Sequence, residues 1–125
     1  MNYGIQLYSV RDLAQNNLSE AVRQMAELGY SSVEFAGFFG HNPDEINEML
    51  HKNGIEVSST HSSFDDLVNN YNETVAFHKA IGNRLYILPG VDLSSQEKLD
   101  DFVKKANEIS KRLAQDGITL AYHNH

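Results

Sequence analysis

The sequence contains no cysteine, no tryptophan and only two prolines among its 125 residues. Without cysteine there is neither a disulfide framework nor thiol chemistry, which fits a reducing compartment. Positive charge is also scarce: ten Lys and Arg stand against 17 Asp and Glu, for a formal net charge of -7. Phosphate-backbone binding needs clustered cations. The ten basic residues are scattered instead, which argues against a nucleic-acid partner. No apolar run approaches the roughly 20 residues of a membrane span, and no basic stretch followed by an apolar run opens the chain as in a signal peptide. Low-complexity stretches, charge blocks and linkers are missing too. The expectation is a soluble, cytoplasmic protein forming one domain at most, with enough chain to bury a core.

What is present is an alternation of short β-like runs with amphipathic helical segments. Ile5 to Ser9 is rich in strand formers, and Val33 and Phe35 mark a second strand. Ile55 to His61, Leu85 to Leu88 and Ile118 to His123 read as the third, fourth and fifth. Between them, Leu18, Ala21, Val22, Met25 and Leu28 fall on one helical face, with Asn17 and Glu20 spaced like a capping box and Gly29 as the stop. Asn42-Pro43-Asp44-Glu45 is a helix start, carrying a cap, a proline at the first position and acids in the first turn. Leu67, Val68, Tyr71, Val75 and Ile81 predict one or two helices ending at Gly82. Ser94 and Glu97 suggest the box of a last helix with Leu99, Phe102, Val103, Ala106, Ile109 and Leu113 on its apolar face. Tyr71 and Phe102 are expected in the core.

Strands separated by helices imply parallel pairing, either in an open doubly wound sheet or in part of a (β/α)₈ barrel. The strand faces decide between them. Gln6 and Tyr8, Ser32 and Glu34, Ser59 and His61, and Ala121 and His123 hold alternate positions, whereas Ile5, Leu7, Val33, Phe35, Leu120 and Tyr122 would face the helices. Polar residues at the C-terminal ends of several strands, on one face, are how a barrel builds a catalytic mouth. The central strands of a doubly wound sheet are apolar on both faces. The segment after Ser9 also lacks the glycine-rich phosphate loop of such folds. The expected fold is therefore α/β of the TIM-barrel type, with about four βα units plus a fifth strand.

Specific segments carry a family resemblance: Gly4-Ile5-Gln6-Leu7-Tyr8-Ser9-Val10-Arg11, Val33-Glu34, His61, Leu88-Pro89-Gly90 and the terminal Tyr122-His123-Asn124-His125. Along its whole length the chain resembles the N-terminal half of the xylose isomerase-like barrels, specifically the sugar phosphate isomerase/epimerase group. The resemblance implies a carbohydrate substrate and a divalent metal (Mn, Mg, Co or Zn). It further implies proton transfer between adjacent carbons through an enediolate, whose charge a cation stabilises. In that family the metal ligands come chiefly from the fifth to eighth strands, so residues 1–125 are expected to form a single partial domain with its metal ligands mostly beyond residue 125. Such a chain is expected to associate with itself or with the missing C-terminal half, because open sheet edges invite pairing. A dehydratase acting on keto-inositols is the alternative on the same fold, and a non-catalytic binding module is another.

Glu34, His61 and His123 are the catalytic candidates. A carboxylate on an inward strand face is costly without a purpose, although a structural pair with a nearby Lys or Arg is the plainer reading. His61 closes a strand at the mouth, and histidine as a residue type suits hydrogen bonding to a substrate hydroxyl or proton transfer, a backbone-bonded histidine being the alternative. His123 is the better-supported half of a His-x-His pair with His125, two ligands alone making a weak metal site; no residue is assigned to a metal. Gln6, Tyr8 and Phe38 are candidates for substrate binding. Phe38 and Phe39 could form an apolar wall over a sugar or an association surface. Arg11 could attract a substrate phosphate, but a loop salt bridge is the plainer reading; His41, His51 and His78, away from the mouth, are expected on the surface.

Overall fold

The computed structural model of the chain describes residues 3–123. Five strands, β1 (Gly4–Gln6), β2 (Ser32–Ala36), β3 (Glu56–His61), β4 (Leu85–Leu88) and β5 (Thr119–Tyr122), form one sheet in the order β1-β2-β3-β4-β5. Every neighbouring pair is parallel. A strand order that follows the chain without reversal is that of a barrel wall; a doubly wound sheet reverses at its switch point. Six helices join the strands: α1 (Arg11–Asn16), α2 (Leu18–Glu27), α3 (Pro43–Asn53), α4 (Phe64–Asn69), α5 (Tyr71–Ala80) and α6 (Gln96–Gln115). None is long and apolar enough to cross a membrane.

One face of the sheet carries the core. Val33 and Phe35 of β2 are fully buried with Leu18, Ala21, Val22 and Met25 of α2 and Ile46, Met49 and Leu50 of α3. A second cluster joins Tyr86 and Leu88 of β4 to Leu67, Val75, Ile109, Leu113 and Ile118. Each such side chain contributes about 1.5–3 kcal/mol on burial. The outer position expected for Tyr122 also holds, since its ring lies 6.1 Å from that of Phe102 on α6.

Several boundaries depart from expectation for local reasons. The first strand ends at Gln6, and Leu7–Val10 coils into a 3₁₀ turn that leads into the unforeseen α1. Asn17 turns the chain to extended geometry between α1 and α2, and its side chain caps the Glu20 amide. Glu20 does not complete a box, because its carboxylate is held by Arg23. The Asn42 box with Pro43 and Glu45 forms as read. At α6 the cap is Ser95, which accepts from Lys98 N. Ser94 is taken by a preceding turn in which its amide donates to Asp92 Oδ1. Val68, Leu99 and Val103, placed on apolar helix faces by spacing, are exposed.

His78 is the largest correction. Expected at the surface, it is 3% exposed, and its ring lies 4.8 Å from the Tyr86 ring and 5.6 Å from that of Phe38. The Asn83 amide donates to His78 Nδ1 at 3.0 Å and to Thr60 Oγ1 at 3.0 Å, which ties α5 to β3 and to the start of β4. Asn83 Oδ1 in turn accepts from Leu85 N. His78 follows Tyr71 and Val75 at helical spacing, so periodicity alone predicts its inward position. Burial lowers its pKa from 6.5 to about 4, with the Asp66 charge opposing the shift.

Two outcomes follow for stability. Phe35→Ala should cost about 3–5 kcal/mol in urea unfolding, and Val68→Ala should stay within about 0.5 kcal/mol. The folded protein holds His78 neutral, so acidification favours the unfolded chain. This loss begins below about pH 6.5, grows to about 3 kcal/mol and levels off below about pH 4. Unfolding at pH 7 and pH 5 checks it: His78→Gln should be less stable at pH 7 yet lack this part of the pH dependence.

Candidate active site

The geometry of the site begins with an irregularity in β3. Val57 packs with the outer core, so strict alternation would also send Ser59 and His61 toward the helices. The pairing with β2 slips instead: Val33 is opposite Val57, but Glu34 is opposite Ser59. Ser58 is the extra residue of a β-bulge. Its hydroxyl shares the inner face with Ser32 and Gly4, since a Cβ on Gly4 would stand 2.6 Å from Ser32 Oγ and 3.8 Å from Ser58 Oγ. With both Ser58 and Ser59 turned inward, Thr60 points back to His78 and His61 enters the mouth.

Four of the sequence-derived candidates then meet. His61 Nε2 is 3.1 Å from Glu34 Oε1, with the two side chains 12% and 19% exposed. The Ser59 hydroxyl donates to the other carboxylate oxygen, Glu34 Oε2. Gln6 Nε2 lies 3.0 Å from His61 Nδ1. The Gln6 amide also lies 3.4 Å from His61 Nε2, so it sits against the ring between its two nitrogens, while the Glu34 carboxylate beside Nε2 favours a proton there. His123, just beyond β5, sets its ring edge-to-face with that of His61 at 5.1 Å. Gln6, Tyr8, Ala36, His61, Pro89 and His123 line a cleft of 490 Å³ at the C-terminal ends of the strands.

The remaining candidates are placed differently. Tyr8 reaches the cleft from the 3₁₀ turn, not from a strand, and is 55% exposed. Among the described residues Arg11 forms no salt bridge; it stacks its guanidinium 4.5 Å from the Tyr8 ring centre and donates to Tyr8 O at 3.1 Å. Phe38 packs against Phe35 and Phe77, at ring distances of 5.4 and 4.5 Å, and borders a neighbouring hollow that reaches His61. Phe39 is exposed with a left-handed φ of 51°. His41 hydrogen-bonds Glu45 at 3.1 Å at the start of α3. Asn124 and His125 lie outside the described residues. Ser59 is the member of the site that received no role from the sequence; the signal that finds it is the conflict between Val57 outward and His61 inward within one strand.

Chemically, the site is an imidazole that lines an open cleft and is backed by a carboxylate, with amide, phenol and second imidazole groups around it. Among the described residues no three His, Asp, Glu or Cys side chains come together as a metal site.

No family model matches the chain. The curated inosose dehydratase of Mesomycoplasma hyopneumoniae is 22% identical over 130 residues, spanning 87% of this chain and 43% of that protein. Among solved structures, a sugar phosphate isomerase/epimerase from Parabacteroides distasonis superposes with a TM-score of 0.79 at 17% identity, over 99% of this chain and 51% of that one. A family 2 AP endonuclease from Brucella melitensis gives a TM-score of 0.76 at 16% identity, over 98% and 55%. The chain thus spans about half the length of the proteins it matches. Its five parallel strands and flanking helices have the fold of the sugar phosphate isomerase/epimerase and xylose isomerase-like barrels.

Proposed function

We propose that the chain supplies the N-terminal half of a barrel enzyme that isomerises or epimerises a sugar, sugar phosphate or polyol through an enediolate. The observation that carries this reading is the contact of Glu34 with His61, a residue that lines the strand-end cleft. No Lys or Arg among the described residues pairs with Glu34, whose partners are His61 and Ser59. The plainer reading of this carboxylate as half of a structural ion pair with a cation therefore loses its support.

The roles follow from the hydrogen bonds. Both oxygens of Glu34 are engaged, one by Ser59 and one beside His61, so Glu34 is held in place and orients His61. A substrate entering the cleft displaces the Gln6 amide and brings the carbon beside its carbonyl to His61. Nδ1 then takes the proton from that carbon, the C–H electron pair forms the C=C bond of the enediolate as the carbonyl oxygen takes the negative charge, and Nε2 stays beside Glu34. The freed Gln6 amide and the Tyr8 phenol bind substrate oxygens, and His123 holds a second hydroxyl or returns the proton. The divalent cation implied by the family resemblance finds no cage in the described residues. In a complete enzyme it is held by other groups, and no step here runs through it. The net charge of -7 favours a small polar substrate over abasic DNA. We also assign the protein to the cytoplasm, on its lack of cysteine.

The inosose dehydratase relative supports a second reading, elimination of water from the same kind of enediolate. Fold likeness does not separate the two. The test is incubation of the protein with ketoses and keto-inositols in D₂O with added Mn²⁺. Isomerase chemistry puts deuterium on the carbon beside the carbonyl, and dehydratase chemistry shows in addition the loss of water by mass. His61→Asn should reduce the exchange by about 10²–10⁴-fold. Wild-type protein that binds the sugars without exchanging hydrogen would leave only a binding module.

The strands β1 and β5 are the two edges of the sheet, and we propose that the isolated chain covers them by self-association. Sedimentation velocity should show a species heavier than 14.1 kDa that grows with concentration. A clean monomer at high concentration contradicts this.

A further inference from the structure

We propose that Ser59 is the positioning residue of the site: its hydroxyl fixes the Glu34 carboxylate so that the other oxygen faces His61. The inference rests on the reading of Glu34 and His61 as the proton-handling pair. It starts from the bulge. Ser59 is 3% exposed, and it faces Glu34 only because Ser58 is inserted into the pairing between β2 and β3. Had β3 been regular, residue 59 would lie against the helices and Thr60 would face the mouth. The slip thus serves two faces at once: it gives Thr60 to the His78–Asn83 network on the outside and Ser59 to Glu34 on the inside.

The chemistry of a single hydroxyl suits this position. A carboxylate on a short side chain turns readily about its last bond, and with one partner it exchanges its two oxygens freely. Ser59 donates to Oε2, which leaves Oε1 on His61 Nε2 at 3.1 Å. The held oxygen lies 3.1 Å from Nε2 and favours the imidazole proton there, which leaves Nδ1 as the acceptor nitrogen of a ring that lines the cleft. A lysine or arginine in place of Ser59 would also anchor the carboxylate, but it would neutralise the charge that stabilises the protonated ring. A hydroxyl anchors without neutralising. Ser59 does not line the cleft, and its hydroxyl reaches the site through Glu34.

The test is the tautomer of His61, read from its imidazole ¹⁵N shifts in labelled protein at a pH where the ring is neutral. Wild-type protein should show a single Nε2–H form. Ser59→Ala should show a mixture of the two tautomers with the backbone amide spectrum otherwise native, and Ser59→Thr, which restores the hydroxyl, should return the single form. A native-like Ser59→Ala protein with an unchanged His61 pattern overturns the proposal, as does a folded Ser59→Thr protein that fails to restore it. Should Ser59→Ala not fold, the wild type still decides. A slowly exchanging Ser59 hydroxyl proton close to the Glu34 side-chain protons is expected, and its absence overturns the assignment. These readouts use no substrate, so they stand or fall apart from the sugar chemistry. If the proton-handling reading also holds, Ser59→Ala lowers the turnover of deuterium exchange about tenfold with KM unchanged.

Discussion

Everything at the mouth depends on a one-residue slip in β3. Side chains of a strand alternate with period two, and one inserted residue exchanges the faces of all that follow. Here the slip lies between Val57, which packs with the outer core, and Ser59, which faces Glu34. Before it, β3 obeys the demand of the helices for an apolar residue; after it, β3 delivers His61 to the cleft and Thr60 to His78. The polar site inside and the buried polar lock outside are therefore two consequences of one backbone feature.

The two sides of the sheet solve opposite problems. Outside, Thr60, Asn83 and His78 are polar groups enclosed by aromatic rings, and they persist because each is hydrogen-bonded. Inside, Glu34 is a half-buried charge without a lysine or arginine partner, held by a hydroxyl and an imidazole. The first arrangement stiffens the wall. The second leaves a carboxylate beside the imidazole of His61 at the mouth of the strands.

Much of this was legible in the sequence because it follows from simple periodicities. The strand centres, the polar inner face at Gln6, Glu34 and His123, and the capped start at Asn42 rest on period two, period 3.6 and local cap chemistry, whereas His61 reaches that face through the bulge. What escaped was set by competition between neighbours. Ser94 resembled a cap but is consumed by the Asp92 turn, so Ser95 takes the role. The opening run of β-formers stops at Gln6 because the chain coils there into a 3₁₀ turn, which moves Tyr8 off the strand. His78 was set aside as a surface histidine by residue type, although its spacing from Tyr71 and Val75 put it inward. The role of Ser59 depends on pairing between strands, which no single segment encodes.

The central claim is that Glu34, His61 and His123 belong to one polyol-binding mouth and that His78 lies outside it. Histidine ring resonances of the wild-type protein, followed during titration with sugars, sugar phosphates and inositols, test it most directly. The account predicts that one class of ligand shifts the His61 and His123 signals together and saturably, with His78 and His51 unmoved. Saturable shifts at His78 or His51 that leave His61 and His123 unmoved would contradict it.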